Sequence, residues 1–190
     1  MRTLEEVVKE VARILEELDI DYVIVGGIAV AAWGNIRTTR DVDVIMALER
    51  GKVEKLVRAF KRRGFSVNRS DILNSLKEKS HFTIFDERSE YHIDAKGVYG
   101  ERESRSLKTR KKIEIDGTAV YIASAEDTLA NKLFFGSEQD LRDAEGIYIR
   151  QLGKLNMKYL ERICREMGIK KELAQLKKRV TGHPSCKKKS

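Results

Sequence analysis

At 190 residues the chain can bury one ordinary hydrophobic core, or one core with a small helical appendage. With 41% hydrophobic residues and a single proline it reads as a compact, helix-rich, cytoplasmic protein, having neither an apolar run of about eighteen residues nor a signal-peptide pattern. The net charge of +8 is uneven: residues 151–190 hold twelve Lys or Arg against three Glu, whereas residues 1–150 hold 26 basic against 27 acidic. That excess suits a polyanionic partner, RNA first, through counterion release, and equally a solvated helical face with a lysine-rich tail.

Residues 3–6 form a capping box, and Leu4, Val7, Val11, Ile14, Leu15 and Leu18 recur at helical spacing, which predicts an amphipathic helix packed on a sheet. Residues 21–25 read as a buried strand running into a glycine turn and a short helix at 28–33, and residues 42–46 as a second strand. A helix over 52–63 carries Val53, Leu56, Val57 and Phe60 on one face and stops at Gly64. Residues 65–67 fit a short edge strand, and 70–79 either a loop or a short helix. Strands at 81–85 and 91–95 are joined by a polar turn at 86–90. Residues 97–110 lack periodicity and mix both charges, which predicts a mobile loop. Asp116-Gly117 joins strands at 112–115 and 118–122 into a hairpin. A second capping box at 124–127 opens a helix with Leu129, Leu133 and Phe134 that ends near Gly136. Helices at 138–150, 156–167 and 170–180 complete the chain. The pattern is α+β: a mixed sheet flanked by helices over residues 1–123, a helical C-terminal module over 124–182 and a basic, disordered tail at 183–190.

The chemistry concentrates in Val25-Gly26-Gly27-Ile28-Ala29 and the following Arg40-Asp41-Val42-Asp43. Two carboxylates one residue apart in a strand share a face, roughly 7 Å apart along the chain, and can converge on one hard cation. A strand, glycine turn and helix start aim backbone N–H groups at an anion. Either half alone reads as well as a glycine turn before a core helix or as an acidic strand end; together they are the equipment for phosphoryl or nucleotidyl transfer. Asp94, with Ile93 turned to the opposite face, fits a third carboxylate or a strand-end acid, and as a base would take a proton from an acceptor hydroxyl. Arg37, Thr39 and Arg40 precede the pair, where an arginine either forks onto triphosphate oxygens or holds an aspartate in an ion pair. Lys132 can point along its helix toward phosphates or simply be solvated, and Asp140 and Asp143 share a face that could orient it. Tyr22 and Trp33 read as core. His81 and His92 alternate with apolar residues without a second histidine or a cysteine at ligand spacing, so both read as ordinary core or surface residues. Cys164 and Cys186 form neither a metal spacing nor a disulfide framework.

Gly26-Gly27-Ile28-Ala29 followed by Gly34, Arg37, Thr39, Arg40, Asp41 and Asp43 resembles the opening of the DNA polymerase β-like nucleotidyltransferase superfamily. The nearest branch looks like the AbiEii-type toxins and related stand-alone nucleotidyltransferases, with lincosamide and aminoglycoside nucleotidyltransferases as more distant cousins. Ser124-Ala125-Glu126-Asp127 leading to Lys132, then Asp140-Leu141-Arg142-Asp143, looks like that branch's downstream motifs. The resemblance implies a nucleotidyltransferase-type sheet and transfer of an NMP from an NTP to an RNA, tRNA or protein hydroxyl. It implies Mg²⁺ or Mn²⁺ on Asp41, Asp43 and Asp94, and nucleotide contacts from Gly26, Gly27, Thr39, Arg40 and Lys132, with Arg37, Asp140 and Asp143 as accessories. A cognate partner protein is part of the implication, as are two alternatives: a non-catalytic nucleotide- or RNA-binding member of a toxin–antitoxin pair, and a small-molecule antibiotic modifier. Gly27 stands where many polymerase-like members carry serine.

Overall fold

A computed structural model describes residues 1–36 and 38–181 of the chain. Arg37 and the tail at 183–190 lie outside the described residues, so the expectations placed on them have no structural counterpart. The elements divide between two compact units: residues 1–28 with 38–123, and residues 29–36 with the chain from Ser124 onward.

The first unit is built on one seven-stranded mixed sheet. In chain order its strands are β1 (Tyr22–Ile24), β2 (Asp41–Met46), β3 (Phe65–Ser66), β4 (His81–Asp86), β5 (His92–Lys96), β6 (Lys111–Ile115) and β7 (Thr118–Ile122). They lie side by side as β3-β4-β5-β2-β1-β7-β6. β2 pairs antiparallel with β1 but parallel with β5, and β1 pairs parallel with β7. The short β3 forms one edge, as its sequence suggests. Asp116 and Gly117 both adopt positive φ (45° and 73°), the backbone that a tight two-residue hairpin demands.

Helix α1 (Leu4–Glu17) starts at a capping box in which Glu6 N donates to Thr3 Oγ1 and Thr3 N donates to Glu6 Oε2. It buries Val7, Val8, Val11, Ala12, Ile14 and Leu15, each valine, isoleucine or leucine side chain stabilising the fold by about 1.5–3 kcal/mol. Helix α2 (Gly26–Trp33) begins two residues earlier than the apolar pattern suggests, with the glycines themselves forming its first turn. α3 (Val53–Arg62) buries the face predicted for it, and the ambiguous stretch before β4 is a true helix, α4 (Arg69–Glu78).

The expected mobile loop at 97–110 is instead largely a helix, α5 (Glu101–Thr109). Its buried residues, Glu103, Ser106 and Leu107, do keep helical spacing, but only one of them is apolar, so hydrophobic periodicity could not reveal the element. Glu103 is tolerated inside because Lys96 Nζ donates to its Oε1 at 2.8 Å. Acids in the first turn and Lys108 in the last also complement the helix dipole.

The second unit is helical: the back of α2, then α6 (Ala125–Phe135), α7 (Glu138–Arg150), α8 (Met157–Glu166) and α9 (Lys170–Thr181). Its core includes Val30, Leu129, Leu133, Ile147, Leu160, Ile163, Cys164 and Leu176, with Trp33 packed against it. At the start of α6 the Ser124 side chain accepts from Asp127 N. The reverse half of the expected box is replaced by Ser124 Oγ donating to Asp127 Oδ2 at 2.7 Å, while Tyr159 Oη donates to both oxygens of this fully buried carboxylate. Gly136 ends α6 at φ 67°. No helix among the described residues is long and apolar enough to cross a membrane.

Candidate functional site

β2 and β5 run parallel with Asp41 opposite His92, Asp43 opposite Asp94 and Ile45 opposite Lys96. Side chains two apart share a face of a strand, so Asp41, Asp43, His92 and Asp94 stand together on one face. The alternate residues Val42, Val44, Ile93 and Ala95 are buried. The apolar–polar alternation that built the sheet has thus gathered four metal-competent side chains, all half-buried.

Two threonines fix one oxygen of each outer carboxylate. Thr39 Oγ1 donates to Asp41 Oδ1 at 2.5 Å, and Thr83, opposite Asp94 on antiparallel β4, donates through Oγ1 to Asp94 Oδ1 at 2.9 Å. His92 Nε2 lies 3.7 Å from Asp94 Oδ2. One ligand atom from each of Asp41, His92 and Asp94 falls within 4.8 Å of the others. Asp43 stands outside that group of three and is drawn against the glycine bend.

Gly26 has φ +62°, and a Cβ built on it would fall 1.8 Å from Asp43 Oδ2. A Cβ on Gly27 would fall 2.7 Å from Thr39 Oγ1. Only a residue without a side chain lets backbone and carboxylate approach this closely. Val25 N donates to Asp43 O at 2.9 Å, tying the bend to β2. The first N–H groups of α2 have no acceptor within the helix and carry the positive end of its dipole, which is an anion-binding arrangement adjoining a carboxylate cluster. Carboxylates crowded on one face repel one another, and a hard divalent cation with oxygen ligands relieves that repulsion. The donor set fits such an ion.

The remaining expected residues are placed as follows. Arg40 is exposed and reaches Glu90 Oε2 at 3.5 Å, a surface pair worth little; the ion pair considered for it, to Asp41 or Asp43, is not the one it makes. In the helical unit Lys132 Nζ lies 2.7 Å from Asp140 Oδ1 and 3.1 Å from Asp143 Oδ2. Ser137 Oγ donates to Asp140 Oδ2 and Gln139 Nε2 to Asp143 Oδ1. Burial pushes the Asp140 carboxyl up, but the hydrogen bonds from Lys132 and Ser137 outweigh it and hold the group below its ordinary value. Glu103 behaves alike: desolvation raises it, and Lys96, a backbone hydrogen bond and the Arg102 charge together more than offset that. Tyr22 is core, its hydroxyl accepting from Tyr121 N, and burial pushes its pKa up to about 12.

Sequence reasoning missed His92 and Thr83. The signal for His92 was its position two residues before Asp94, which puts it on the same strand face; looking for a second histidine or a cysteine passed over carboxylate partners on a neighbouring strand. Thr83 had no local signal, since its role depends on the β4–β5 register.

Residues 2–180 match a protein family described as "Nucleotidyltransferase of unknown function (DUF6036)". Among solved structures, the chain is similar to an antigenic nucleotidyltransferase-like protein from Paracoccidioides brasiliensis, with TM-score 0.57 and 19% identity over 91% of each chain. It is also similar to ANT(2'')-Ia in complex with adenylyl-2''-tobramycin, with TM-score 0.58 and 12% identity over 87% of this chain and 97% of that one. At such identities the likeness is one of fold. No curated protein matches the sequence.

Proposed function

Since the chain belongs to the DUF6036 nucleotidyltransferase family, we propose that it moves a nucleoside monophosphate from an NTP to an acceptor hydroxyl with release of pyrophosphate. The observation that carries the reading is the parallel register of Asp41-Val42-Asp43 with His92-Ile93-Asp94, set against a glycine bend that only glycine can form. In this reading Asp41, Asp43 and Asp94 hold Mg²⁺ or Mn²⁺, and Gly26 and Gly27 receive the triphosphate on backbone N–H groups. Thr39, Arg40 and Lys132 are the further nucleotide contacts, with Arg37, Asp140 and Asp143 as accessories. A bound divalent ion supplies charge neutralisation at the phosphates. The acceptor oxygen bonds to the α-phosphorus, the bond from that phosphorus to the α–β bridging oxygen breaks, and the acceptor proton passes to Asp94. Such a reaction is largely positioning and electrostatics, which suits a site of few residues.

The acceptor in this reading is a polyanion such as tRNA, or a protein hydroxyl, in keeping with the positive charge gathered after residue 150 and with the resemblance of the motifs to the AbiEii-type branch. Incubation with each α-labelled NTP, Mg²⁺ or Mn²⁺, and RNA, protein and small-molecule fractions tests it. Label retained on RNA or protein supports the reading, and label on the small-molecule fraction replaces its acceptor. Tight NTP binding with no pyrophosphate release would leave a nucleotide-binding protein. Asp43→Asn should lower transfer about a hundredfold or more with an unchanged melting temperature; undiminished turnover would remove Asp43 from the metal site.

A further inference from the structure

We propose that His92 is a metal ligand: its imidazole nitrogen joins carboxylate oxygens of Asp41 and Asp94 on one divalent ion and shifts the site's preference from Mg²⁺ toward Mn²⁺. The inference rests on the nucleotidyl-transfer reading of the same face and adds a ligand that an all-carboxylate site would lack.

Three observations carry it. The register puts His92 directly opposite Asp41 and, by strand alternation, on the face of Asp94. The ligand atoms of these three residues fall within 4.8 Å of one another. The 3.7 Å from His92 Nε2 to Asp94 Oδ2 is longer than a hydrogen bond. Two atoms each bound about 2.1 Å from one ion can stand at most about 4.2 Å apart, so this gap lies within the reach of a shared ion. The threonine hydroxyls on Asp41 Oδ1 and Asp94 Oδ1 set the orientation of both carboxylates, as supporting partners around metal ligands do. On its outer side His92 stands beside the Phe85 ring, 6.3 Å between centroids and tilted by 35°. Mg²⁺ takes oxygen ligands almost exclusively, whereas imidazole nitrogen suits later divalent ions, and Mn²⁺ accepts both. Asp43 is drawn against Gly26 instead.

The test uses the full chain and Mn²⁺, with and without a non-hydrolysable α,β-methylene NTP, and reads nitrogen coupling to bound Mn²⁺ by pulsed electron paramagnetic resonance. The expected result is a histidine nitrogen coupling that disappears in His92→Gln, survives in His81→Gln, and changes isotope pattern when the unmutated chain is labelled with ¹⁵N-histidine. The isotope arm needs no variant to fold. His92→Gln should also weaken Mn²⁺ binding by about tenfold or more, since even outer partners of a metal site cost that much, and weaken Mg²⁺ binding less, because Mg²⁺ prefers oxygen ligands. Bound Mn²⁺ without histidine coupling, or coupling that persists in His92→Gln, overturns the inference while leaving nucleotidyl transfer intact. Absence of bound Mn²⁺ under both conditions also overturns it, and the labelled-NTP assay with Mg²⁺ then decides separately whether the underlying reading survives.

Discussion

Replacing Gly26 by alanine tests the tightest contact in the candidate site. The left-handed backbone at φ +62° costs an L-residue about 1–2 kcal/mol. The new methyl would also meet Asp43 Oδ2 at 1.8 Å and Asp43 Cγ at 2.7 Å, and relieving such overpacking costs about 1–3 kcal/mol. Together Gly26→Ala should destabilise by about 2–5 kcal/mol and push the Asp43 carboxylate off its position. Gly27→Ala lacks the backbone strain; its methyl meets Thr39 Oγ1 at 2.7 Å, and part of that cost is offset by the better helix propensity of alanine, about 1 kcal/mol. Gly51→Ala, with nothing within 4 Å, should stay within about 0.5 kcal/mol of the parent. Urea unfolding of the three variants checks the order. With a slope of about 2 kcal/mol per molar urea, Gly26→Ala should lose about 1–2.5 M of midpoint. Divalent-ion binding measured by calorimetry should weaken in the same variant. Coincident midpoints for Gly26→Ala and Gly51→Ala would refute the account of the bend.

Lys132→Met should destabilise the helical unit by about 3–5 kcal/mol, because it removes the ammonium held between the largely buried Asp140 and Asp143 carboxylates; a loss below about 1 kcal/mol in urea, of order the exposed-pair range, would show that Lys132 is not coupled to the pair. Asp140 titrates below its ordinary 3.8 in the folded chain, so its contribution is fully present above that pH and is lost as the pH falls through the folded value. The acid limb of melting temperature against pH should therefore be shallower in Asp140→Asn than in the parent, and parallel limbs would contradict the assignment. Removing residues 183–190, which include three lysines, should reduce the slope of log affinity for single-stranded RNA against log salt by about 2. An unchanged slope would take the tail out of any RNA footprint.

The parts of the fold readable in the sequence were those written in local chemistry. Thr3 and Glu6, Asp116-Gly117 and Gly136 each encode a turn or cap with a mechanism, and the elements they bound appear where expected. α5 was hidden because its inner face is made of Glu103, Ser106 and Leu107, and an ion pair with Lys96 replaces the apolar stripe that periodicity detects. The site divides in the same way. Asp41 and Asp43 announce themselves two apart in one strand, whereas the juxtaposition of His92 with Asp41 depends on a parallel pairing across α3, β3, α4 and β4, which no local pattern encodes.

Helix α2 contributes its first turn to the sheet unit and its remaining turns to the helical one, so the two bodies are interleaved along the polypeptide. A fragment cut after Ala123 would carry Val30 and Trp33 without the residues that cover them, presenting bare apolar surface to solvent and inviting aggregation. Reciprocally, a fragment starting at Ser124 would lack Val30 from its own core. Genetic dissection at the apparent boundary therefore damages both products, and assigning roles to the two units calls for point substitutions rather than truncations.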